Sequence, residues 1–350
     1  MDEEIKLTQY SKGGGCGCKI APSVLQNILQ SDHKFNAPEL LVGNESSDDA
    51  AVYQLNNETA IISTTDFFLP IVDDAFTFGR IAAANAISDV YAMGGTPIMA
   101  VAILGWPIEK LPADLAQKVL DGGRSICREA NVPLAGGHTI DSSDPIFGLA
   151  VTGTVPVKHL KKNNTAQLGD ELFLTKPIGV GVLATALKRG VLEAEHYEVL
   201  IDQLTTLNSV GMELGKIKGV HALTDVTGFG LIGHLIEMAT GSGLGATLNY
   251  SSVKKIAGID TYLKARTIPD ATFRNWNSYS SQVKFEKGVN VMEAFNLLPD
   301  PQTNGGLLIA VAPDAIDEVK NILISSGLED FTVPIGRLVE RSDKPIQVLP

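Results

Sequence analysis

The chain is poor in cysteine. Of its 350 residues only Cys16, Cys18 and Cys127 are thiols, too few for a disulfide framework. The opening Met1–Lys12 segment is polar and carries no secretory signal pattern, so free thiols in a reducing compartment, the cytoplasm, are expected. A run of about 18 apolar residues is also missing, so a soluble protein without a membrane partner is expected. Basic residues are outnumbered, 28 Lys and Arg against 40 Asp and Glu, leaving a net charge of −12. So acidic a chain is a poor direct partner for nucleic acid, although metal ions can still reconcile it with a polyanionic nucleotide. No Gly-Lys-Ser/Thr phosphate loop is present. What is there is 44% hydrophobic and 19% charged, which supports folded cores rather than disorder. The length suggests two domains.

After a glycine-rich lead, Pro22 opens a short helix over Ser23–Leu29. Strand patterns follow at Ala50–Leu55 and Thr59–Thr65, a helix at Thr77–Met93, and a strand at Pro97–Trp106. Ala113–Ala130 reads as a helix, with strands at Val132–Gly136 and Ile146–Pro156. The polar stretch Lys158–Gln167 reads as a linker or surface turn. The pattern then restarts with a strand at Glu171–Thr175 and helices to Lys216. Val220–Thr224, Ala246–Tyr250 and Gly306–Ala312 read as strands, Leu231–Ala239 and Ala315–Ser325 as helices, with a last β pair from Phe331. Thr267–Lys287 reads as a long irregular loop. Strands and helices alternate without one repeated period, which predicts an α+β, mixed α/β class. The divisions expected are an arm over 1–20, an N-terminal domain over 21–157 and a C-terminal domain over 158–350.

The acidic residues are scattered. Asp48 and Asp49 precede a strand, where adjacent carboxylates fit either a turn or a cation site. Asp66 closes a strand. Asn85, Ser88 and Asp89 share one face of a helix rich in Ala and Ile, and a carboxylate on so apolar a helix needs a metal, an arginine or backbone donors. Asp225 also ends a strand. The Thr227-Gly-Phe-Gly turn after it leads into a helix, which fits an anion site or a tight connection equally. Dispersed single aspartates suit magnesium, which takes a few carboxylates together with water and phosphate oxygens.

Gly13-Gly-Gly-Cys16-Gly-Cys18-Lys19 sets two thiols and a cation in a segment nearly free of side chains. A metal clip, a tail without function and a mobile arm carrying a soft nucleophile all fit that pattern. Lys19 is suited to lowering a nearby thiol pKa or to binding phosphate. Cys127 reads as a small buried hydrophobe on its helix.

Together these segments resemble the selenophosphate synthetase (selenide, water dikinase) family, class I, of the aminoimidazole ribonucleotide synthetase-like superfamily. The likeness runs over nearly the whole chain. It rests on Leu-Thr-Gln-Tyr-Ser and the Gly-Cys16-Gly-Cys18-Lys19 arm, Asp48-Asp49-Ala-Ala-Val, Ser-Thr-Thr-Asp66, and Asn85-Ala-Ile-Ser-Asp89. Ala-Gly-Gly137-His138-Thr139, Leu-Thr-Lys-Pro at 174–177, Thr224-Asp225-Val-Thr-Gly-Phe-Gly and Pro301-Gln-Thr-Asn-Gly-Gly complete it. The aspartate motif is shared across the superfamily, whereas the Cys-Lys arm is specific. Asn304 stands where serine is expected, at a position on which no catalytic role depends.

The resemblance implies a two-domain fold with a flexible glycine-rich arm. It implies that selenide, ATP and water give selenophosphate, AMP and phosphate, supplying selenium for selenocysteine and selenium-modified tRNA. Cys16 matches the essential cysteine and Lys19 the essential lysine. Asp49, Asp89 and Asp225 match magnesium ligands. Lys19, Ser46, Ser47, Asp48, Asp66 and Asp89 match nucleotide contacts. Gly137, His138 and Thr139 match a segment that completes the ATP site of the partner subunit in a homodimer. A monovalent cation is left open. A kinase resembling thiamine-monophosphate kinase would share the aspartates without needing the arm, and a selenium or metal carrier would need the thiols without Asp89.

Overall fold

A computed structural model describes residues 5–11, 13–20, 22–29, 35, 37–44 and 47–350. The first half contains α1 (Pro22–Leu29), β1 (Leu40–Val42), β2 (Ala51–Gln54), β3 (Thr59–Phe68) and α2 (Ala75–Ala92). It continues with β4 (Thr96–Trp106), α3 (Ala113–Glu129), β5 (Leu134–Asp141) and β6 (Ile146–Pro156). Its strands form one sheet in the order β1-β2-β3-β6-β4-β5, antiparallel except for the β4–β5 pair. The second half opens with β7 (Glu171–Leu174), α4 (Val180–Lys188), α5 (Ala194–Thr205), α6 (Gly211–Lys216), β8 (Val220–Asp225) and α7 (Gly230–Gly241). After β9 (Gly245–Asn249) come α8 (Ile259–Lys264), α9 (Asp270–Tyr279), β10 (Val283–Phe285) and α10 (Val291–Leu297). It closes with β11 (Leu307–Val311), α11 (Ile316–Ser325), β12 (Gly336–Val339) and β13 (Ile346–Leu349). These strands order as β10-β13-β9-β12-β7-β11-β8. No helix among the described residues is long and apolar enough to cross a membrane.

Helix α2 is the element that places the site. Only Phe76, Thr77 and Arg80 of it escape burial, as its near-continuous small and aliphatic sequence requires. The Asp74 carboxylate caps its start by accepting from the Thr77 N–H at 2.7 Å. One side of α2 lies on α3 and the first sheet, the other on α5, α6 and β8 of the second half. The α2–α3 approach depends on glycine. A Cβ on Gly79 would sit 1.9 Å from the Val119 carbonyl, and one on Gly122 1.9 Å from that of Phe76. A helix wedged between two layers in this way holds Asn85, Ser88 and Asp89 at the junction.

Several local expectations are corrected. Thr267–Lys287 is not an irregular loop but holds α9, a short turn and β10. Its buried face uses Ala271, Thr272, Asn275 and Tyr279, so it has little hydrophobic periodicity to read. Strand β5 runs to Asp141 rather than ending at Gly136, because β4 pairs with it along that length. The segment read as a surface turn after residue 157 is partly buried. Lys161 there is 7% exposed and donates to the Ile217 and Val220 carbonyls, which satisfies an ammonium that burial pulls down to about 8.

The arm is docked. The Gly15 N–H donates to the Leu69 carbonyl at 3.0 Å and the Cys16 N–H to Thr303 Oγ1 at 2.9 Å. Gly15 has φ of +54°, and a Cβ there would lie 2.4 Å from Thr303 Oγ1, so glycine is needed both for the turn and for the approach. From the second half Lys188 donates to the Ser11 carbonyl and Arg274 to that of Gly17, each at 2.9 Å.

Candidate active site

The scattered carboxylates converge. Asp49 leads into β2, Asp66 lies near the end of β3, Asp89 is on the last turns of α2 and Asp225 ends β8. All four line one cavity of about 410 Å³, together with Lys19 from the arm and Glu237 from α7. Ser47 and Asp48 line it too, whereas Ser46 lies outside the described residues. Gly137, His138 and Thr139 are not brought there. They lie exposed on β5, at the edge of the first sheet.

Hydroxyls hold the carboxylates in place. Thr224 Oγ1 donates to Asp49 at 2.8 Å and Ser88 Oγ to Asp225 at 2.6 Å, while Thr64 Oγ1 donates to Asp89. Asn208 in turn donates to Ser88 Oγ at 2.8 Å. The Asp48 carboxylate accepts from the Asn163 N–H at 3.0 Å, tying the segment between the sheets to the cavity wall. The spacing of Asn85, Ser88 and Asp89 on one helix face is realised, since Asn85 donates to Asp66 while Ser88 and Asp89 meet the neighbours named above.

Burial and mutual repulsion raise the carboxyls of Asp49 and Asp89 well above the usual range. Burial raises Asp225 as well, with the Ser88 hydrogen bond opposing it. Asp49 Oδ2 is buried and has no hydrogen-bond partner among the described residues. Lys19 Nζ stands 3.8 Å from Asp66 Oδ2. Its side chain keeps 40% exposure, so the desolvation working against its charge is partial, and Asp66 and the neighbouring acids keep it protonated. One ammonium against this many carboxylates leaves negative charge uncompensated, and an all-oxygen donor set with an unused buried oxygen fits a hard divalent cation. Among the described residues only the group Glu193, Glu195 and His196 brings three ligand atoms within 4.8 Å of one another. The cavity acids are spaced more widely, which suits ions held partly by a phosphate-bearing ligand.

A second cavity, of about 200 Å³, adjoins the first. Lys19 and Asp66 line both, and Cys16 and Cys18 line the second. Cys16 is 1% exposed, and its Sγ–H donates to Asn85 Oδ1 at 3.3 Å. Burial first, then Asp66, pushes this thiol up. Lys19 pulls it down without prevailing, so the lowered thiol pKa that the sequence suggests is not found in the docked arm. Cys127 is buried in the core of the first half, as its helix pattern implies.

Three contributors escape sequence reasoning. Thr303 anchors Cys16. Asn304, at φ +48°, donates its N–H to the same Asn85 oxygen that accepts from Cys16. Glu237 lines the acidic cavity, and burial raises it to about 8. Its neighbour one turn back, His234, accepts from the Thr227 N–H at 3.1 Å, and burial drops its pKa to about 3. The spacing of His234 and Glu237 on one helix face is the signal that was available.

Comparison with known proteins identifies the family and the fold. The models for the AIR synthase related protein N-terminal and C-terminal domains match residues 47–155 and 167–348. A protein of Photorhabdus laumondii named selenide, water dikinase is 55% identical over 342 residues, 97% of each chain. One of the same name from Pseudomonas putida is 53% identical over the full length of both. Among solved structures, a thiamine-monophosphate kinase from Stenotrophomonas maltophilia superposes with a TM-score of 0.64 at 21% identity, covering 93% of this chain and 94% of that one. The hydrogenase maturation protein HypE of Escherichia coli gives a TM-score of 0.63 at 20% identity, covering 83% and 82%. At such identities these two speak to the fold alone. With more than half its sequence conserved along the full length of such relatives, the chain belongs to the selenide, water dikinases, ATP-dependent phosphotransferases of the AIR synthase related family.

Proposed function

We propose that the chain phosphorylates selenide with ATP, giving selenophosphate, AMP and phosphate, and that Cys16 and Lys19 serve that chemistry from the docked arm. The observation that carries this reading is the contact between the two cavities. Lys19 and Asp66 belong to both the acidic cavity and the thiol chamber, so a triphosphate end in the first meets a nucleophile in the second.

The acidic cavity takes ATP, with Lys19, Ser46, Ser47, Asp48, Asp66 and Asp89 as nucleotide contacts. Asp49, Asp89 and Asp225 would hold magnesium, which neutralises the triphosphate and so lets an anion approach it. Lys19, protonated and aimed between the cavities, stabilises the charge that develops on the transferred phosphoryl group. The docked arm keeps bulk water out of the first transfer. Cys16 is a soft, polarisable thiol suited to holding or delivering selenium beside that group. Hydrolysis of the remaining ADP then gives AMP and phosphate. The test is ³¹P NMR with ATP, magnesium and selenide under anaerobic reducing conditions. A selenophosphate resonance with equimolar AMP is the expected result, and ADP as the only nucleotide product would overturn the reading.

The same reading makes the protein a cytoplasmic homodimer whose product supplies selenium for selenocysteine and selenium-modified tRNA. One face of the first sheet supports self-association. The register puts Phe67, Ile103 and His138 in one row, and Phe67 is 50% and Ile140 57% exposed. Pairing that face with a second copy would bury it and carry Gly137, His138 and Thr139 toward the partner's ATP site. Ile140→Glu is expected to convert the dimer to monomer in sedimentation velocity and to raise KM for ATP about tenfold or more, the cost of a charge desolvated at an interface. A stable dimer with unchanged KM would remove β5 from the interface.

A further inference from the structure

A third cavity lies on the far side of the arm. It measures about 560 Å³, and Gly13, Gly14, Gly17 and Cys18 form one wall. The opposite wall, from the end of α4 and the start of α9, carries Lys188, Arg189 and Arg274, and among the described residues Asp270 is its one carboxylate. Among the described residues, the charged side chains of this space thus leave two positive charges in excess. Each cation spends one recorded bond on a backbone carbonyl, of Ser11, Arg266 and Gly17 respectively, and none of those bonds is to a carboxylate. Donor capacity therefore remains on all of them.

The three cavities form a series. The basic one shares Cys18 and Leu69 with the thiol chamber, and the thiol chamber shares Lys19 and Asp66 with the acidic cavity. An anionic nucleophile arriving through the acidic cavity would have to pass clustered carboxylates and a bound triphosphate. Coulomb repulsion opposes that route, while a basic mouth concentrates anions. We infer that the basic cavity is a vestibule through which selenide enters as its hydroselenide anion, separately from ATP, passing Cys18 to reach the chamber of Cys16. Desolvation raises the thiol of the exposed Cys18, a hydrogen bond at the Leu69 backbone opposes it first, and Lys188 and Arg274 then act to lower it too, so their field reaches the inner wall.

This inference rests on the proposed reaction but can be separated from it. Arg189 and Asp270 are exposed, line the vestibule and, among the described residues, make no hydrogen bond to the arm. Arg189→Glu should raise KM for selenide roughly threefold or more, and Asp270→Asn should lower it, with KM for ATP unchanged in both. High salt should shrink the difference. A second readout needs no catalysis. The rates at which anionic iodoacetate and neutral iodoacetamide alkylate Cys18, read by peptide mass spectrometry, give a ratio that cancels the thiolate fraction. That ratio should fall in Arg189→Glu and rise in Asp270→Asn. Selenide KM values that do not move, or that move together with those for ATP, would overturn the vestibule, as would an unchanged alkylation ratio. A wild-type protein that makes no selenophosphate would instead sink the reaction itself, with the alkylation ratio still judging whether the cavity gathers anions.

Discussion

Cys16→Ser is expected to lower selenophosphate formation at least ~10³-fold while ATP binding stays within about threefold of wild type. The substitution is nearly isosteric. A hydroxyl can still donate to Asn85 Oδ1, and the anchor from the Cys16 backbone N–H to Thr303 is untouched. Arm docking should therefore survive, and with it the position of Lys19. What is lost is a soft sulfur beside the transferred group. ³¹P NMR of the products with titration calorimetry of a non-hydrolysable ATP analogue separates the two effects. Product formed at the normal rate would show that sulfur has no part in the chemistry, and lost ATP binding would show that Cys16 acts by seating the arm.

The second large effect concerns Asp89. Its carboxylate is 9% exposed, and Asp225 and Asp66 stand close enough to raise it further than burial does alone. Asp89→Asn removes one of several like charges facing one space, while the amide oxygen can still accept from Thr64. The metal-free protein should become more stable, by about 1 kcal/mol or more, because repulsion built into the fold is relieved. Turnover should fall at least ~10²-fold, since on the proposed function that carboxylate would hold magnesium and contact the nucleotide. The stabilisation that magnesium and the ATP analogue give wild type, about 2.7 kcal/mol at a hundredfold excess over Kd, should largely vanish. Thermal melts with and without ligands read both changes. A variant that melts lower without metal yet keeps the full ligand-induced gain would rule out a cation site at Asp89.

Opposed signs for stability and activity follow from how the site is built. Asp49, Asp66, Asp89 and Asp225 come from four elements that the fold forces together. Their hydroxyl partners Thr64, Ser88 and Thr224 offset part of the desolvation but leave Asp49 Oδ2 without a partner among the described residues. Such incomplete satisfaction is costly in a core and is expected where a ligand completes the set.

Helix α2 was readable in the sequence because it is apolar on nearly every side, so a carboxylate within it had to be buried. Strand β6 was readable from its apolar run. Strand β5 was largely lost, since a glycine-rich, exposed edge has no hydrophobic alternation to display. Helix α9 was lost because it docks through Asn275, whose amide donates to the Gly228 and Pro299 carbonyls. Lys161 reads as a linker residue because nothing local announces that its ammonium will find the Ile217 and Val220 carbonyls, far along the chain.

By itself the sequence set out the groups available: scattered aspartates suited to a hard cation, and two thiols and one lysine on a glycine-rich arm. Residue type and local spacing suffice for that, because metal preference and nucleophile character are properties of side chains. Only the tertiary structure decided that the arm docks with Cys16 against Asn85 and Thr303, that Lys19 and Asp66 join the two cavities, and that a basic vestibule opens behind Cys18. Those are contacts between segments far apart in the chain. They arise from the packing of α2, α4, α9 and the two sheets, which no local pattern encodes.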